Sequence, residues 1–306
     1  MTMRAPVRFE KWEGLGNDFA LFRADEADMR PELARRLCDR RFGIGGDGVI
    51  LIAMDRGRPR MIVYNADGSR PEMCGNGLRC VAKYVYDHGI KRAESLRIQT
   101  GRGTLTVNVE IAGGKVHRVE VNMDQPILEA GKIPVKVAGL KETDRVVDVP
   151  IVASMKALSP DFDLDTQVMT MLKDATIEDR MTCVSMGNPH MIAFGKNVLE
   201  QAPETRFGPL FEGAPMFPRR INVHFVQVHS PEEVTMRTWE RGSGVTLACG
   251  TGACAVCVAG ALSGRSHRRI KAHLPGGDLE LEWRESDNCV YMTGPATEVF
   301  TGDWPE

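Results

Sequence analysis

The sequence predicts a two-domain α+β protein built by internal duplication, each half a β-rich unit with one buried helix running through a sheet-walled core. Three observations carry this expectation: the chain length, a collinear repeat of glycine-rich cysteine motifs, and an alternation of β-type runs with apolar helical segments. With 306 residues the chain exceeds the size at which one hydrophobic core keeps growing, so two domains are expected.

The repeat is the strongest of the three. Met61–Cys80 can be laid without gaps on Met236–Ala255, an offset of 175 that carries Cys74 onto Cys249. Tyr64 then coincides with Trp239, and Cys74-Gly75-x-Gly77 falls on Cys249-Gly250-x-Gly252. A second anchor agrees, because Gly16-Asn17-Asp18-Phe19 falls on Gly187-Asn188-Pro189-His190 at an offset of 171. Between the anchors the strand-like Val49-Ile-Leu-Ile52 lies near Val223-His-Phe-Val226. Each unit reads as glycine loop, β-rich run, turn, second β-rich run, Cys-Gly-x-Gly turn and helix. The helices are expected from Leu78 to about His88 and from Ala253 to about Leu262.

Residues 101–122 alternate as strands and lead to a linker near Met123–Pro126, where a domain boundary fits. The stretch from about 135 to 180 has no counterpart at the repeat offset, mixes short β-like runs with an acidic, Met-containing segment, and reads as an insertion.

Composition excludes several classes of function. Apolar residues make up 42% and charged residues 26%, as in ordinary globular proteins. Lys and Arg (39) nearly balance Asp and Glu (41), and no basic stripe carries interleaved aromatics, so no nucleic-acid partner is expected. The N-terminal segment lacks an apolar signal core and no apolar run approaches a membrane span, which makes the cytoplasm the expected location. Eight cysteines in such a setting are reduced thiols: core residues, metal ligands or catalysts.

Cys74 and Cys249 are the chemical candidates. A cysteine before Gly-x-Gly at a strand-to-helix turn lies near backbone N–H groups whose partial positive charge favours thiolate. The glycines admit a ligand close to the backbone, and unpaired N–H groups suit a carboxylate. Two such sites acting on one amino-acid α-carbon invert it: one thiolate removes the α-proton and the other thiol delivers a proton to the opposite face. No specific pyridoxal-phosphate signature is present, so hydrogen bonds to the developing enolate-like carboxylate must supply the stabilisation. Glu240 and His190 are candidates to hold the substrate ammonium or tune the thiols, and Arg241 to bind a remote carboxylate.

Two rival patterns fail. Gly43-Ile-Gly-Gly-Asp-Gly48 matches a dinucleotide fingerprint, but a helix-like segment precedes it and a strand-like one follows, the reverse of the required order. Cys249, Cys254, Cys257 and Cys289 reproduce an iron–sulfur spacing, yet the other repeat keeps only the first of them in register, and the segment Ala253–Leu262 reads as a buried helix. Cys254 and Cys257 are expected to be core thiols, as are Cys38, Cys80, Cys183 and Cys289.

Six ordered motifs, namely Gly14–Phe19, Asn65–Gly68, Met73–Cys80, Ser185–His190, Glu240–Gly244 and Ala248–Ala253, resemble the diaminopimelate epimerase family over most of the chain. The resemblance implies pyridoxal-independent interconversion of LL- and meso-2,6-diaminopimelate by a two-cysteine mechanism, in lysine and peptidoglycan-precursor synthesis. It implies two pseudo-symmetric domains, each a barrel-like, mostly antiparallel sheet around a central helix. These are residues 1–122 with 294–306, and 123–293. A homodimer is implied, with no cofactor and no metal. Cys74 and Cys249 correspond to the acid–base pair, with His190 and Glu240 near the reacting centre. Gly75, Asn76, Gly250 and Thr251 would bind the reacting carboxylate, and Asn17, Asn65, Asn188, Asn222, Glu240 and Arg241 would hold the rest of the substrate. Gly48 stands where some family members have a substrate-contacting Gln, and the insertion is longer than the resemblance leads one to expect. The alternatives are a related pyridoxal-independent racemase of another amino acid, such as histidine, and a non-catalytic amino-acid or metal-binding protein.

Overall fold

The structure, a computed structural model, describes residues 6–25, 27–159, 172–174 and 176–305. It divides into two units, residues 1–122 with 293–306, and residues 123–292.

The first unit contains β1 (Val7–Gly14), β2 (Asn17–Arg23), α1 (Pro31–Cys38), β3 (Gly48–Asp55), β4 (Arg58–Asn65), α2 (Gly75–Asp87), β5 (Ser95–Thr100), β6 (Gly103–Ala112) and β7 (Lys115–Asn122). The second contains α3 (Ile151–Leu158), β8 (Thr182–Ser185), β9 (Pro189–Gly195), α4 (Val198–Gln201), α5 (Pro203–Glu212), β10 (Asn222–Ser230), β11 (Glu233–Glu240), β12 (Gly244–Val245), α6 (Gly250–Leu262), β13 (Arg269–Leu274), β14 (Gly277–Trp283) and the first three residues of β15 (Val290–Gly294), whose last two are counted with the first unit. The last strand, β16 (Thr297–Trp304), pairs antiparallel with β1.

The two units repeat one pairing plan. In the first, β1–β2, β3–β4, β5–β6 and β6–β7 are antiparallel, while β2–β3 and β4–β5 are parallel. In the second, β8–β9, β10–β11 and β13–β14 are antiparallel, and β9–β10 and β11–β13 parallel. Every parallel step follows a helical crossover, because parallel neighbours cannot be joined by a tight turn. Register repeats as well: Phe19 lies opposite Gly48 and Val49 opposite Tyr64, as His190 lies opposite Asn222 and Val223 opposite Trp239. The fold is therefore pseudo-symmetric, with a mostly antiparallel sheet in each half.

β3 shows why its sequence is a continuous apolar run. Val49 and Leu51 join a core with Ala34 and Leu37 of α1, whereas the side chain of Ile50 reaches the opposite face against Gly77 of α2. A strand covered on both faces has no polar side to alternate with. α2 meets β1, β4, β6 and β7, and α6 meets β8, β9, β10, β13 and β14, so each sheet curls around its helix. α6 accordingly lacks a solvent stripe: Gly252 through Gly260 are all buried.

Two sequence expectations are corrected. Both central helices begin at the glycine after the cysteine, three residues earlier than expected, so Cys74 and Cys249 are N-cap residues. Glycine is a poor helix former, but here it is required by packing: a Cβ on Gly252 would lie 2.3 Å from Cε1 of His224, and one on Gly77 would lie 2.7 Å from Ile50. The β-like runs of the 135–180 segment form no ladder among the described residues, which hold α3, a helical stretch at 172–174 and isolated bridges such as Val149 with Met181. Val135, Val137, Val146 and Met155 instead enter the same core as Phe207 and Phe211 of α5, so this stretch covers that helix. Residues 160–171 and 175 of the segment lie outside the described residues.

α1 and α5 are a further repeated pair. Both start with Pro at their first turn, Pro31-Glu32 and Pro203-Glu204, an offset of 172. At Gly208 of α5 a Cβ would fall 2.4–2.5 Å from Cγ and Cβ of Trp239, whose indole nitrogen donates to Glu212 at 2.7 Å. Gly208→Ala gains about 1 kcal/mol of helix propensity but overpacks a fixed indole at a cost of roughly 1–3 kcal/mol. Thermal unfolding should show a lower Tm than the parent; a higher Tm would contradict this packing.

Candidate active site

The first unit builds a polar cluster at the start of α2. Cys74 is extended (φ −137°, ψ 114°), and its Sγ accepts from the Gly77 N–H at 3.5 Å. The same sulfur lies 4.0 Å from Oδ1 of Asn17, which also accepts from Nδ2 of Asn76 at 3.2 Å. The Asn76 side chain is spent internally, because its Oδ1 accepts from Arg79 at 2.9 Å, and the buried Arg79 in turn donates to the Pro295 carbonyl. What Gly75 and Asn76 can offer a ligand is their backbone N–H groups, which have no carbonyl partner within a helix's first turn.

Asn17 is held in one orientation. Its Nδ2 donates to Asp47 at 2.7 Å, and Asp47 also accepts from the Asp18 N–H and from Arg40. Arg40 spans Asp18 and Asp47, and the buried Lys11 pairs with Asp18 at 2.7 Å and donates to the Gly45 carbonyl. These two cations hold the Asp18 carboxyl below its usual range although burial pushes the other way. The loop Gly43–Gly48 is thus an ion-paired turn entering β3. Asn65, at the end of β4, donates to Ser69 at 2.9 Å. A Cβ at Gly48 would lie 2.6 Å from the Tyr64 carbonyl oxygen, so this backbone admits no larger residue there.

The second unit places Cys249 at the start of α6, 4% exposed, with Thr251 Oγ1 at 3.7 Å. Burial pushes the Cys249 thiol well up, and the neighbouring Glu240 carboxylate adds to the effect; the Gly252 N–H and the Thr251 hydroxyl pull the other way more weakly. The expected thiolate preference of the helix terminus is therefore overridden at Cys249 by desolvation. Glu240 itself accepts from Thr246 Oγ1 at 2.6 Å.

Behind Cys249 stands a chain of polar groups, buried at Thr238, His224 and His190 and half-buried at Asn188. His190 Nε2 lies 3.0 Å from Asn188 Oδ1, His190 Nδ1 lies 2.8 Å from His224 Nε2, and His224 Nδ1 lies 3.0 Å from Thr238 Oγ1. One proton assignment satisfies every atom: the threonine hydroxyl donates to His224, His224 to His190, and His190 to the asparagine carbonyl. Burial holds both imidazoles neutral. It pushes His224 down to about 3, and it lowers His190 well below the usual imidazole range, with smaller contributions from His224 and Arg241. Asn222 Nδ2 donates to the Pro189 carbonyl at 2.8 Å, and its Oδ1 accepts from the Arg241 N–H at 2.9 Å. The exposed Arg241 guanidinium donates to the Arg219 carbonyl at 3.0 Å.

Comparison with known proteins now decides the family. The family model described as diaminopimelate epimerase matches residues 9–129 and 182–299. The chain belongs to the diaminopimelate epimerase family. It is 48% identical to the diaminopimelate epimerase of Moorella thermoacetica, covering 98% of this chain and 99% of that one. It is 47% identical to that of Desulfitobacterium hafniense, covering 95% and 96%. Among solved structures, a phenazine biosynthesis protein of the PhzF family from Bacillus anthracis shares the fold at 13% identity, with a TM-score of 0.69 over 98% of this chain and 99% of that one.

Within this family member, the first unit gathers Asn17, Cys74, Gly75 and Asn76, with Asn65 ending the strand beside Gly48. The second gathers Asn188, His190, Glu240, Cys249, Gly250 and Thr251, while Asn222 holds the backbone of Arg241. Sequence reading missed His224, Thr238, Thr246, Asp47 and Arg40. For His224 a signal existed, because residues two apart on a strand share a face and His224 follows Asn222 by two.

The buried histidines make stability pH-dependent. Their folded pKa values lie below the unfolded value near 6.5, so at acid pH the unfolded chain binds more protons. Their contribution is complete above pH 6.5 and is lost as pH falls toward the folded values. Between pH 7.5 and 5.0 each imidazole should remove on the order of 2 kcal/mol. Urea unfolding of His224→Asn should show a pH loss smaller by about that amount; an unchanged pH loss would contradict the assignment.

Proposed function

We propose that the chain interconverts LL- and meso-2,6-diaminopimelate, with Cys74 and Cys249 as the acid–base pair. The observation that carries the reading is that each unit places a cysteine at the N-cap of its buried helix, at equivalent points of one pairing plan. The names of the relatives, at 43–48% identity over nearly the whole chain, supply the substrate.

In this mechanism the reacting carboxylate takes hydrogen bonds from the first-turn N–H groups of Gly75, Asn76, Gly250 and Thr251, which strengthen as the α-carbon loses its proton. One sulfur removes the proton and the other returns one to the opposite face. Burial and Glu240 favour the thiol form of Cys249; in the direction in which that thiol gives up its proton, Cys74 is the acceptor. For the other isomer the roles exchange.

Asymmetry in the polar groups suits a substrate of which only one end reacts. Asn17 turns its carbonyl oxygen toward Cys74 while Asp47 takes its amide, whereas at Asn188 it is the carbonyl that His190 takes, which leaves the amide nitrogen as the end to offer a ligand. A carbonyl accepts from ammonium; an amide nitrogen donates to carboxylate. With Asn65, Asn222 and Arg241 this gives the distal amino-acid end of the substrate its own set of partners. A monocarboxylate amino acid such as histidine has no group for Arg241 to hold. We place the activity in lysine and peptidoglycan-precursor synthesis, and in a homodimer, as the family resemblance implies.

Incubation of the reduced protein with LL-diaminopimelate in D₂O should yield the meso isomer with deuterium at one α-carbon, detected by chiral chromatography and mass spectrometry. Cys74→Ala and Cys249→Ala should each lower net epimerisation by roughly 10²–10⁴-fold, as loss of an acid–base group does. Absence of exchange in the parent would refute the substrate assignment, and near-full turnover in either variant would refute the pair.

A further inference from the structure

The acid–base reading uses the sulfur of Cys249 but leaves the two buried imidazoles behind it without a chemical task. We propose that His190, His224 and Cys249 form a binding site for a borderline-soft divalent cation, Zn²⁺ by its donor set, that takes the catalytic sulfur as a ligand.

Three features of the site support this. One ring nitrogen from each histidine and the Cys249 sulfur all lie within 4.8 Å of one another. Tetrahedral zinc with bonds of roughly 2.0–2.3 Å holds its donors about 3.3–3.6 Å apart. The facing nitrogens, now 2.8 Å apart, need only separate by about half an ångström, while the sulfur closes by about one at most. Two nitrogens and one sulfur form a set that selects zinc, cobalt(II) or copper over magnesium and calcium.

The outer atoms of both rings are already arranged as they are around bound metals. Metal-ligating histidines almost always tie the far nitrogen to an oxygen that fixes ring orientation. Here His190 Nε2 faces Asn188 Oδ1, and His224 Nδ1 faces Thr238 Oγ1, at 3.0 Å each. The ring positions are fixed further by Gly252, whose missing side chain leaves the space that His224 and the Cys249 sulfur fill. Charge agrees as well. A dication with one thiolate and two neutral imidazoles carries a net positive charge, and the Glu240 carboxylate that opposes a lone thiolate at Cys249 attracts that cation.

Binding is balanced as follows. The Cys249 thiol releases its proton to solvent and forms the metal–sulfur bond. The proton between the imidazoles leaves His224 Nε2 as another arrives on His224 Nδ1, which then donates to the Thr238 hydroxyl. The imidazole–imidazole hydrogen bond is replaced by two metal–nitrogen bonds, and one proton is released overall. The cation withdraws Cys249 from proton transfer, so micromolar zinc should inhibit reversibly; that consequence rests on the two-cysteine mechanism, whereas the binding does not.

The reduced, metal-stripped full chain should be titrated with Co²⁺ and followed by absorbance. One equivalent should bind with a thiolate-to-cobalt charge-transfer band. Cys249→Ser should abolish that band, and Cys74→Ser should retain it. His224→Gln should weaken binding at least tenfold, and Thr238→Val, which leaves all three ligands in place, should weaken it by about 10–100-fold. Circular dichroism and Tm of each variant report folding. A band that survives Cys249→Ser, binding without a thiolate band, or affinity unmoved by both His224→Gln and Thr238→Val would overturn the site. If the band behaves as expected but the parent fails to epimerise diaminopimelate, the metal site stands and the functional reading fails.

Discussion

Each unit depends on a helix that is buried along its length and ends in a cysteine cap. A buried helix satisfies its own backbone everywhere except at its ends, where the first N–H groups have no partner. In α2 and α6 those groups sit behind Cys74 and Cys249, and the glycines that follow keep side chains away from them. The same constraint that lets the sheet curl around an apolar helix thus leaves a patch of hydrogen-bond donors beside a sulfur. Packing and chemistry share one cause, so Gly252 cannot be enlarged without disturbing both the His224 ring and the Cys249 sulfur.

Duplication supplies two such ends, and divergence of their surroundings makes them unequal. Around Cys74 the supports are charged: Asp47, Arg40, Asp18 and Lys11 orient Asn17 from the loop that enters β3. Around Cys249 they are neutral and buried: Thr238, His224 and His190 orient Asn188 from inside the sheet. The two asparagines occupy equivalent places in the repeat and present opposite ends of their amides. In the proposed mechanism a symmetric device for moving protons is thereby combined with an unsymmetric grip.

Much of this was legible in the sequence because it lies in local spacing. Cys-Gly-x-Gly, the aromatic pair Tyr64 and Trp239, and the run Val49–Ile52 each report their structure within a few residues. The helix starts were misplaced because glycine propensity argues against helix, whereas the deciding factor is the tight contact of Gly77 and Gly252 with residues on β3 and β10. The His190–His224–Thr238 chain required knowing that β9, β10 and β11 are neighbours in a fixed register. The segment after residue 135 read as an insertion of β-like runs, since its valines are apolar for burial under α5 and not for pairing. The α1 and α5 correspondence was visible in Pro31-Glu32 and Pro203-Glu204, but two residues weigh little until the crossovers they begin are seen to match.

The central claim is that two sulfurs serve opposite faces of one carbon. It is tested most directly by α-hydrogen exchange without inversion, measured for both diaminopimelate isomers in D₂O with each single-cysteine variant. The account predicts mirror-image behaviour: Cys249→Ala exchanges the isomer whose α-hydrogen faces Cys74, and Cys74→Ala exchanges the other. The same isomer preference in both variants, or exchange of both isomers by one of them, would contradict it.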